Sequence, residues 1–458
     1  MKARLILGWL LVFSLVAAIG YAQAPAARRL SLAEALTLSR ANNPAYRSTL
    51  NNRWAASSEA TSSGWRLITP TASLRGSHMR EQGSEQYYPQ LLGVLPTPIV
   101  STPGSSSLGW GLSFQYLLSG RTIAERGLAS AELRATDADI AGSLTVLETL
   151  VRQQYLDVLR AQAQVALARH VLERANETLN LARARNSVGQ GTLIDVRRAE
   201  VEKGQAEVGL LRANQTVENQ VLVLFQRLGV PAPSPASVVL TDSFPVQAPA
   251  FAADPLVELA LRENPGLVAL RAREHYAAWG VRSAYSQYAP SLNASLNYGR
   301  LRYNTANPGG VDPLTQRIIW VDTTISTIQP WTLNIGVQLP IFDQFQRRVT
   351  TARARAAQDD ARLGIRSQEL AVRAEVTAAY LALVAAYQTI GIQQNNKAAS
   401  AEALSLATER YRVGNGTFIE LLDARVTTER ADADYVTAVY DYHKAFAALE
   451  NAVGRPLR

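Results

Sequence analysis

The chain has 458 residues, of which 47% are apolar and 18% are charged, with a formal net charge of +8 and no cysteine. This apolar content supports sizeable folded cores and excludes a disordered chain. The missing cysteine excludes thiolate catalysis, thiolate metal sites, disulfides and an N-terminal lipidated cysteine. The four histidines, which lie far apart in sequence, are His78, His170, His275 and His443. We interpret them as solvated or packed, because they lack the spacing that places two imidazoles on one helix face.

The positive charge is carried almost entirely by arginine. These arginines are interspersed with carboxylates and form no basic cluster or stripe, so no nucleic-acid partner is expected. The sequence also lacks a glycine-rich phosphate loop, a nucleophile elbow in a credible setting and a metal cluster. We therefore expect a protein that is not an enzyme and that uses no cofactor and no metal.

The N-terminus has the pattern of a secretory signal peptide. Lys2 and Arg4 precede an uninterrupted apolar run over residues 5–19, which small residues follow. About 15 apolar residues are fewer than the roughly 20 that a spanning helix needs. We predict a signal peptide over residues 1–22 with cleavage after Ala22, and an exported protein without a spanning helix, so that any membrane insertion uses strands.

An internal duplication is the strongest signal in the sequence. Residues 151–231 align without a gap on residues 376–456. The recurring motifs are Tyr155-Leu156 as Tyr380-Leu381, Val188-Gly189-Gln190-Gly191-Thr192 as Val413-Gly414-Asn415-Gly416-Thr417, and Asn43-Pro44 as Asn264-Pro265. We predict a first repeat over residues 23–230, a Pro-rich linker over 231–255 and a second repeat over 256–458. Each repeat is expected to contain helix, strand, loop, strand, long helix and helix in that order.

The predicted long helices are amphipathic. Residues 121–186 contain no proline, and a helix of this length would extend on the order of 100 Å. Apolar residues follow heptad-like spacing at Leu144, Leu147, Val151, Tyr155, Val158, Val165, Leu172 and Leu179, and again at Val376, Leu383 and Ile390. The fold class is therefore mainly α, with long antiparallel coiled-coil helices forming an α-barrel and a small β part.

Two segments alternate strictly between apolar and small or polar residues. The apolar, lipid-facing positions are Trp110, Leu112, Phe114, Tyr116, Trp331, Leu333, Ile335 and Val337. Such alternation over about ten residues is typical of a membrane barrel with a wet lumen. We expect partner strands near residues 71–79 and 291–303, and polar loops near residues 80–108 and 304–330.

Four strands per chain cannot close a barrel. An open sheet edge in hydrocarbon leaves unpaired backbone groups, so several chains must share one transmembrane β-barrel. Two chains would give an eight-stranded barrel filled by side chains, whereas three give twelve strands and a water-filled lumen. The small polar inner positions favour a trimer.

These features resemble the outer membrane efflux protein family, the TolC-like channels. The resemblance rests on the repeated unit, the start at residues 32–44, Leu339-Pro340-Ile341-Phe342-Asp343, and the segment from Tyr411 to Thr417. It implies a homotrimer in the outer membrane of a Gram-negative bacterium, with a twelve-stranded barrel and a periplasmic helical tunnel. It further implies the exit duct of a tripartite efflux pump for small molecules or drugs, docked on a periplasmic adaptor (membrane fusion protein) and, through it, an inner membrane transporter.

Two alternatives within the family remain open, namely heavy-metal efflux and type I protein secretion. A periplasmic coiled-coil adaptor is a further alternative from a different class. An adaptor would need a single hairpin flanked by compact β domains, which the doubled unit and the lipid-type strands disfavour.

The two Gly-x-Gly-Thr motifs predict tight turns between the long helices. We expect glycines with positive φ there, and Thr192 with Asp195 and Thr417 with Glu420 as helix caps. By resemblance, the periplasmic gate consists of Asp195, Tyr411, Glu420 and Asp423. The expected adaptor-docking tips are Gly189, Gly191, Thr192, Gly414, Gly416 and Thr417. Gly416 stands where some members carry an arginine, so a closing network based on that arginine is not expected.

Overall fold

The structure is a computed structural model, which describes residues 28–82, 84–87, 98–102, 104–233, 238–311, 313–314 and 318–457. The predicted signal peptide and its cleavage site lie outside the described residues.

Eight helices account for most of the described chain. The first four are α1 (Leu32–Asn42), α2 (Pro44–Trp65), α3 (Gly120–Ser187) and α4 (Leu193–Leu228). The other four are α5 (Ala253–Glu263), α6 (Pro265–Ser286), α7 (Gln346–Arg412) and α8 (Phe418–Val453). The lengths match in order, with 11 residues in α1 and α5, 22 in α2 and α6, 68 and 67 in α3 and α7, and 36 in α4 and α8.

Most of the predicted heptad positions of the long helices are buried, whereas Leu144 and Leu172 are half-buried. Val151, Tyr155 and Val158 of α3 are fully buried, and so are Val376 and Leu383 of α7. A helix with a narrow apolar stripe is stable only where another helix covers that stripe. The predicted helix over residues 121–186 is therefore confirmed, with one more residue at each end.

The strands, in chain order, are β1 (Arg28–Leu30), β2 (Thr71–Glu81), β3 (Ser84–Tyr87), β4 (Pro98–Thr102), β5 (Ser105–Leu118), β6 (Val238–Leu240), β7 (Ser291–Val311) and β8 (Ile318–Gln338). Four of them form one antiparallel sheet in the order β2-β5-β7-β8. The parallel pair β1-β6 and the antiparallel pair β3-β4 are separate.

Two predicted loops are shorter than expected. Strands β7 and β8 extend through much of residues 304–330, and β3 and β4 occupy part of residues 80–108. These extensions are rich in Thr, Ser and Asn, so they lack the apolar alternation by which a strand is recognised. Their backbones nevertheless continue the antiparallel ladder as far as Val311 and Ile318.

The predicted linker over residues 231–255 is partly structured. It contains β6, and α5 begins within it at Ala253. Asp242 of the same segment accepts hydrogen bonds from the Tyr155 hydroxyl at 2.9 Å and from the Leu32 amide at 2.5 Å. The segment is thus attached to the start of α1 and to the buried stripe of α3.

The four-stranded sheet separates apolar from polar side chains in register. On one face the pairs are Leu74 with Leu112, Phe114 with Leu296, Leu292 with Val337, Ala294 with Ile335, and Leu296 with Leu333. On the other face they are Ser73 with Ser113, Gln115 with Ser295, Asn293 with Gly336, and Asn297 with Thr332. Because side chains alternate along a strand, this register separates apolar from polar residues over the part of the sheet that contains these pairs, whereas Arg300 and Arg302 oppose Trp110 and Leu108 farther along.

The expected lipid-facing residues lie on the apolar face or at its ends. On β8 they are strongly exposed, with Trp331 at 69% and Val337 at 72%. On β5, Trp110 makes an edge contact with the Tyr298 ring at 5.9 Å, and the Tyr116 hydroxyl donates to the Leu67 carbonyl at 2.6 Å.

The described chain divides into two compact units, and each combines segments of both sequence repeats. The first unit contains the segment that ends at Pro44 together with Leu147–Ala250 and Tyr380–Ala448. The second contains Ala45–Val146, Phe251–Ala379 and the segment from Leu449 onward. These units differ from the predicted segments because the long helices contribute residues to both.

The recurring Asn-Pro motif has the same contact in both repeats. The Asn43 side-chain amide donates to the Arg227 carbonyl at 2.8 Å, and that of Asn264 donates to the Ala452 carbonyl at 3.0 Å. Each bond joins the beginning of a short helix to an otherwise unpaired carbonyl in the last turn of α4 or α8.

Two independent reasons require a glycine directly after α4 and after α8. Gly229 and Gly454 have φ values of 74° and 92°, which side-chain-bearing residues rarely adopt. A Cβ on Gly229 would lie 2.5 Å from the Asn42 carbonyl oxygen, and one on Gly454 would lie 2.7 Å from Pro265 Cδ. The recurring glycines therefore allow the close approach that the asparagine bonds need.

One described helix, α7, contains an 18-residue window with a mean hydropathy of 1.4, long and apolar enough to cross a membrane. Buried helices of soluble proteins also meet this criterion, so it does not by itself assign a membrane topology.

Helices α3 and α6 pack closely at Gly127. A Cβ at this position of α3 would lie 2.3 Å from the Trp279 ring of α6. We expect Gly127→Ala to lower the free energy of unfolding by about 2 kcal/mol through overpacking. Guanidinium unfolding of the purified protein, followed by circular dichroism, measures this loss.

Gly280→Ala is the matched control, because it lies on α6 beside Trp279 and a Cβ there meets open space. It should leave the stability unchanged or raise it by up to about 1 kcal/mol, since alanine is the better helix former. Equal effects of the two substitutions would contradict the packing argument.

Candidate functional site at the helical turns

The α3–α4 turn and the α7–α8 turn are built alike. The first glycine of each motif, Gly189 or Gly414, has a φ of 75° or 87°. The second glycine does not have a positive φ and is required for another reason. A Cβ on Gly191 would lie 3.1 Å from Arg185 Cβ, and one on Gly416 would lie 3.1 Å from Arg410 Cβ. The expectation of positive φ is thus confirmed for the first glycine only, and the second permits close packing.

Threonine caps the returning helix at both turns. Thr192 Oγ1 accepts from the Asp195 amide at 3.2 Å, and Asp195 Oδ2 accepts from the Thr192 amide at 3.3 Å, which completes the predicted capping box. In the second turn, Thr417 Oγ1 accepts from the Glu420 amide at 3.2 Å, while the Glu420 carboxylate lies 3.7 Å from Arg410.

A small apolar core lies directly behind the turns. It consists of Leu179, Ala182, Val196, Ala199, Tyr411, Phe418 and Leu421. Tyr411 is only 3% exposed, and its ring makes an edge contact with the Phe418 ring at 5.7 Å. All four long helices contribute to this core, so it joins the α3–α4 hairpin to the α7–α8 hairpin.

The Tyr411 hydroxyl is buried, and within the described residues it has no hydrogen-bond partner. Burial raises the pKa of Tyr411, and the negative charge of Asp195 raises this pKa further, while the positive charge of Arg185 opposes the shift. The hydroxyl therefore stays neutral at physiological pH.

Arg185, near the end of α3, contacts both turns. Its guanidinium donates to the Gln190 carbonyl at 2.9 Å and to the Tyr411 carbonyl. The guanidinium carbon also lies 4.4 Å from the centre of the Tyr411 ring, which is cation–π geometry.

The four predicted gate residues fall into two pairs. Tyr411 belongs to the small core, and the charge of Asp195 at the start of α4 acts on its hydroxyl by raising its pKa. Glu420 and Asp423 lie exposed on the first turns of α8. Exposed carboxylates at this end of the hairpin create a negative field in the surrounding solvent.

A buried ionic cluster lies farther along the hairpins. Arg425 of α8 is 4% exposed, and it lies 2.9 Å from Glu202 of α4 and 2.9 Å from Glu429. Asp432, one turn beyond Glu429, accepts from Arg174 of α3 at 3.0 Å and lies 3.2 Å from Lys397 of α7. These pairs connect α8 with the other three long helices.

Burial raises the pKa of Glu202, although the nearby Arg425 charge lowers this pKa in part. The Glu202 carboxylate therefore gains less from its ion pair than it loses by leaving water. Such a pair contributes little net stability, but breaking it strands a buried charge.

Sequence reasoning did not identify Arg185 or Arg425. The available signal for Arg425 is its position between the buried residues Leu421 and Thr428, within the stripe that the helix buries. Arg185 carries no such signal, because its contacts depend on how the two hairpins meet. Among the residues that the structure describes, no group of three or more His, Asp or Glu side chains is arranged to hold a metal ion.

Comparison with known proteins identifies the architecture. The family model described as outer membrane efflux protein matches residues 36–230 and 256–455. This match covers most of the chain. The chain belongs to the outer membrane efflux protein family.

This efflux protein is similar to two proteins of known identity. It is 26% identical over 305 residues to the outer membrane efflux protein BepC of Brucella suis, and this match covers 66% of the chain and 61% of BepC. It is 24% identical over 361 residues to the outer membrane protein TolC of Vibrio cholerae, covering 76% of the chain and 77% of that protein.

The fold of the efflux protein is that of solved TolC-like structures. The crystal structure of the outer membrane protein VceC from Vibrio cholerae superimposes with a TM-score of 0.72, 20% sequence identity, and coverage of 93% of this chain and 97% of that one. The predicted family resemblance and the mainly helical fold are confirmed.

The ionic cluster of the efflux protein yields a prediction. Arg425→Met should lower the free energy of unfolding by about 3 kcal/mol, because the half-buried carboxylates of Glu202 and Glu429 then lose the Arg425 cation. Glu202→Gln should lower it by less than about 1 kcal/mol, because it removes the buried charge itself. Chemical unfolding at pH 7 measures both.

The pH dependence gives an independent check. Folding raises the pKa of the Glu202 carboxyl group, so the folded state binds its proton more readily than the unfolded state does. The destabilisation caused by the charged carboxylate therefore decreases as the pH falls toward the raised pKa. The loss caused by Arg425→Met should therefore be smaller at pH 5 than at pH 7. If the loss of unfolding free energy in Arg425→Met were the same at both pH values, the role given to the Glu202 charge would be wrong. A larger loss in Glu202→Gln than in Arg425→Met would contradict it as well.

Proposed function

We propose that this efflux protein is a passive, trimeric outer membrane channel and the exit duct of a tripartite pump for small molecules or drugs. The observation that carries the proposal is the four-stranded sheet with one exposed apolar face and one polar face. Hydrocarbon favours the apolar face, and water favours the other. The family membership of the chain supports the same function.

The sheet also supports the oligomeric state. Strands β2 and β8 are its edges in the described chain, and an edge in hydrocarbon must find a partner strand. Three copies supply twelve strands, enough for a barrel with a water-filled lumen. The long helices would then form a periplasmic tunnel, and the signal peptide predicted over residues 1–22 would direct export.

The gate is proposed to consist of Asp195, Tyr411, Glu420 and Asp423. The exposure of Glu420 and Asp423 supports this, because repeated carboxylates around a narrow entrance concentrate cations and repel anions. Asp195 and Tyr411, which lie against the small core, would fix the position of the hairpin ends.

The turns are the proposed docking surface for a periplasmic adaptor, through which an inner membrane transporter is reached. Both turns expose a valine at the same motif position, with Val188 at 68% and Val413 at 63%. Ile194 and Ile419, equally exposed, follow in the returning helices. Matching apolar residues on the two hairpins would offer an adaptor equivalent contacts at each.

Heavy-metal efflux and type I protein secretion are the alternatives within the family. The geometry of the turns is compatible with each, since energy and cargo selection would come from the partners. The family match over residues 36–230 and 256–455 disfavours the alternative of a different class, a periplasmic adaptor.

Single-channel recording tests the channel and its gate. The purified protein in planar bilayers should give a small, cation-selective conductance. Glu420→Ala combined with Asp423→Ala should lower the cation selectivity severalfold and change the conductance, because the negative charges at the entrance are removed.

Asp359→Ala combined with Asp360→Ala is the matched control, since it removes two exposed carboxylates from another segment of the chain. It should leave selectivity and conductance unchanged. A protein that forms no channel and stays soluble without detergent would refute the proposal and favour the adaptor alternative.

Docking has its own prediction. Val188→Asp combined with Val413→Asp should reduce export in cells about tenfold or more, because charges replace the apolar contacts at both turns. The same variant should conduct normally in bilayers. Normal export by a correctly inserted variant would argue against docking at the turns.

A further inference from the structure

The strongest unassigned feature is the arginine that spans the two turns. Arg185 belongs to the first hairpin, and its guanidinium lies on the ring of Tyr411, the penultimate residue of α7, at 4.4 Å. It also donates to the backbone carbonyls of Tyr411 and of Gln190 in its own turn. One side chain thus fixes the carbonyls of both turns.

The corresponding arginine of the second repeat does not do this. Arg410 donates to the Asn415 carbonyl of its own turn at 3.3 Å and lies 3.7 Å from Glu420, which is also in the second hairpin. The first contact repeats the bond between Arg185 and Gln190, so bracing the local turn is common to both arginines. Among the described residues, only Arg185 of the two contacts the opposite hairpin.

The surroundings are suited to this contact. A Cβ on Gly414 would lie 3.7 Å from the Arg185 guanidinium, so Arg185 reaches the glycine of the second turn as well as Tyr411. The carbonyl at the end of α7 carries the negative end of the helix dipole, which favours a cation. Tyr411 is almost fully buried, so the guanidinium contacts a ring whose position is fixed by the core.

We propose that Arg185 is a positioning residue that holds the α7–α8 hairpin against the α3–α4 hairpin and thereby keeps the channel entrance narrow. This inference rests on the proposed channel function and adds its regulation. Opening requires the Tyr411 end of α7 to leave Arg185. The guanidinium matters because it is planar and stacks on the ring while its fixed fork of N–H groups donates to two carbonyls, whereas a lysine ammonium has no plane to stack.

The first experiment compares the open fraction of single channels. Arg185→Ala should raise it about tenfold, as expected when a charge-assisted hydrogen bond and a cation–π contact are lost from the closed state. Arg185→Lys should resemble Arg185→Ala. Arg183→Ala is the matched control, because Arg183 lies on the same helix and pairs with Glu200 inside the first hairpin at 2.9 Å. The control should behave like the unaltered protein.

Two outcomes would overturn the inference while the channel function stands. One is an unchanged open fraction in Arg185→Ala. The other is an equal increase in Arg183→Ala, which would show that charge loss alone is responsible. An unaltered protein that does not conduct at all would instead refute the proposed function.

The second experiment does not depend on conduction. The chain has no native cysteine, so Val188→Cys and Val413→Cys place one spin label on each turn. Labelled chains are diluted with unlabelled chains, so that an assembly contains one labelled copy. Arg185→Ala should lengthen and broaden the distance between the labels, and Arg183→Ala should not. An identical distance distribution in all three proteins would overturn the inference.

Discussion

The long helices of this protein are stable only as partners of one another. Each buries a narrow apolar stripe, and a helix of 67 or 68 residues has no other way to remove that stripe from water. The stripe leads to the small core around Tyr411 at the turns and to the buried cluster around Arg425. Because the stripe is narrow, polar residues that fall within it must be satisfied by a partner helix. The ion pairs of Arg425 and Asp432 therefore indicate which helices pack together, just as the buried apolar residues do.

The sheet must likewise pair its edge strands and cover its apolar face, but the described chain supplies no element that does so. Its backbone bonds are satisfied across three pairings, but both faces and the two edge strands lack a covering element in the described chain. The sheet thus calls for more strands and for a surrounding medium, and the helices also leave large apolar side chains exposed, such as Leu211 at 69% and Leu363 at 64%. The family membership and the proposed trimer account for both requirements.

Sequence reasoning identified the elements that have a local cause. The absence of proline from residues 121–186 predicted α3, the Gly-x-Gly-Thr motif predicted both turns, and alternation predicted β5 and the end of β8. It underestimated β7 and β8, because Thr- and Asn-rich strands keep their ladder without any apolar pattern. It missed the pairing of β1 with β6, which joins two short segments far apart in sequence. At the candidate site it proposed Tyr411 and Asp195 but did not point to Arg185, whose partner lies on the other hairpin.

The asparagine bonds at the helix junctions make each repeat close on itself. Asn43 binds the end of α4 within the first copy, and Asn264 binds the end of α8 within the second. Neither bond uses a residue of the other copy. A gene duplication would therefore have joined two units that already ended in a satisfied junction, and the new connection needed only to span the gap between them. The segment after α4 is not needed for either junction, and it makes contacts of its own, such as that of Asp242 with Tyr155.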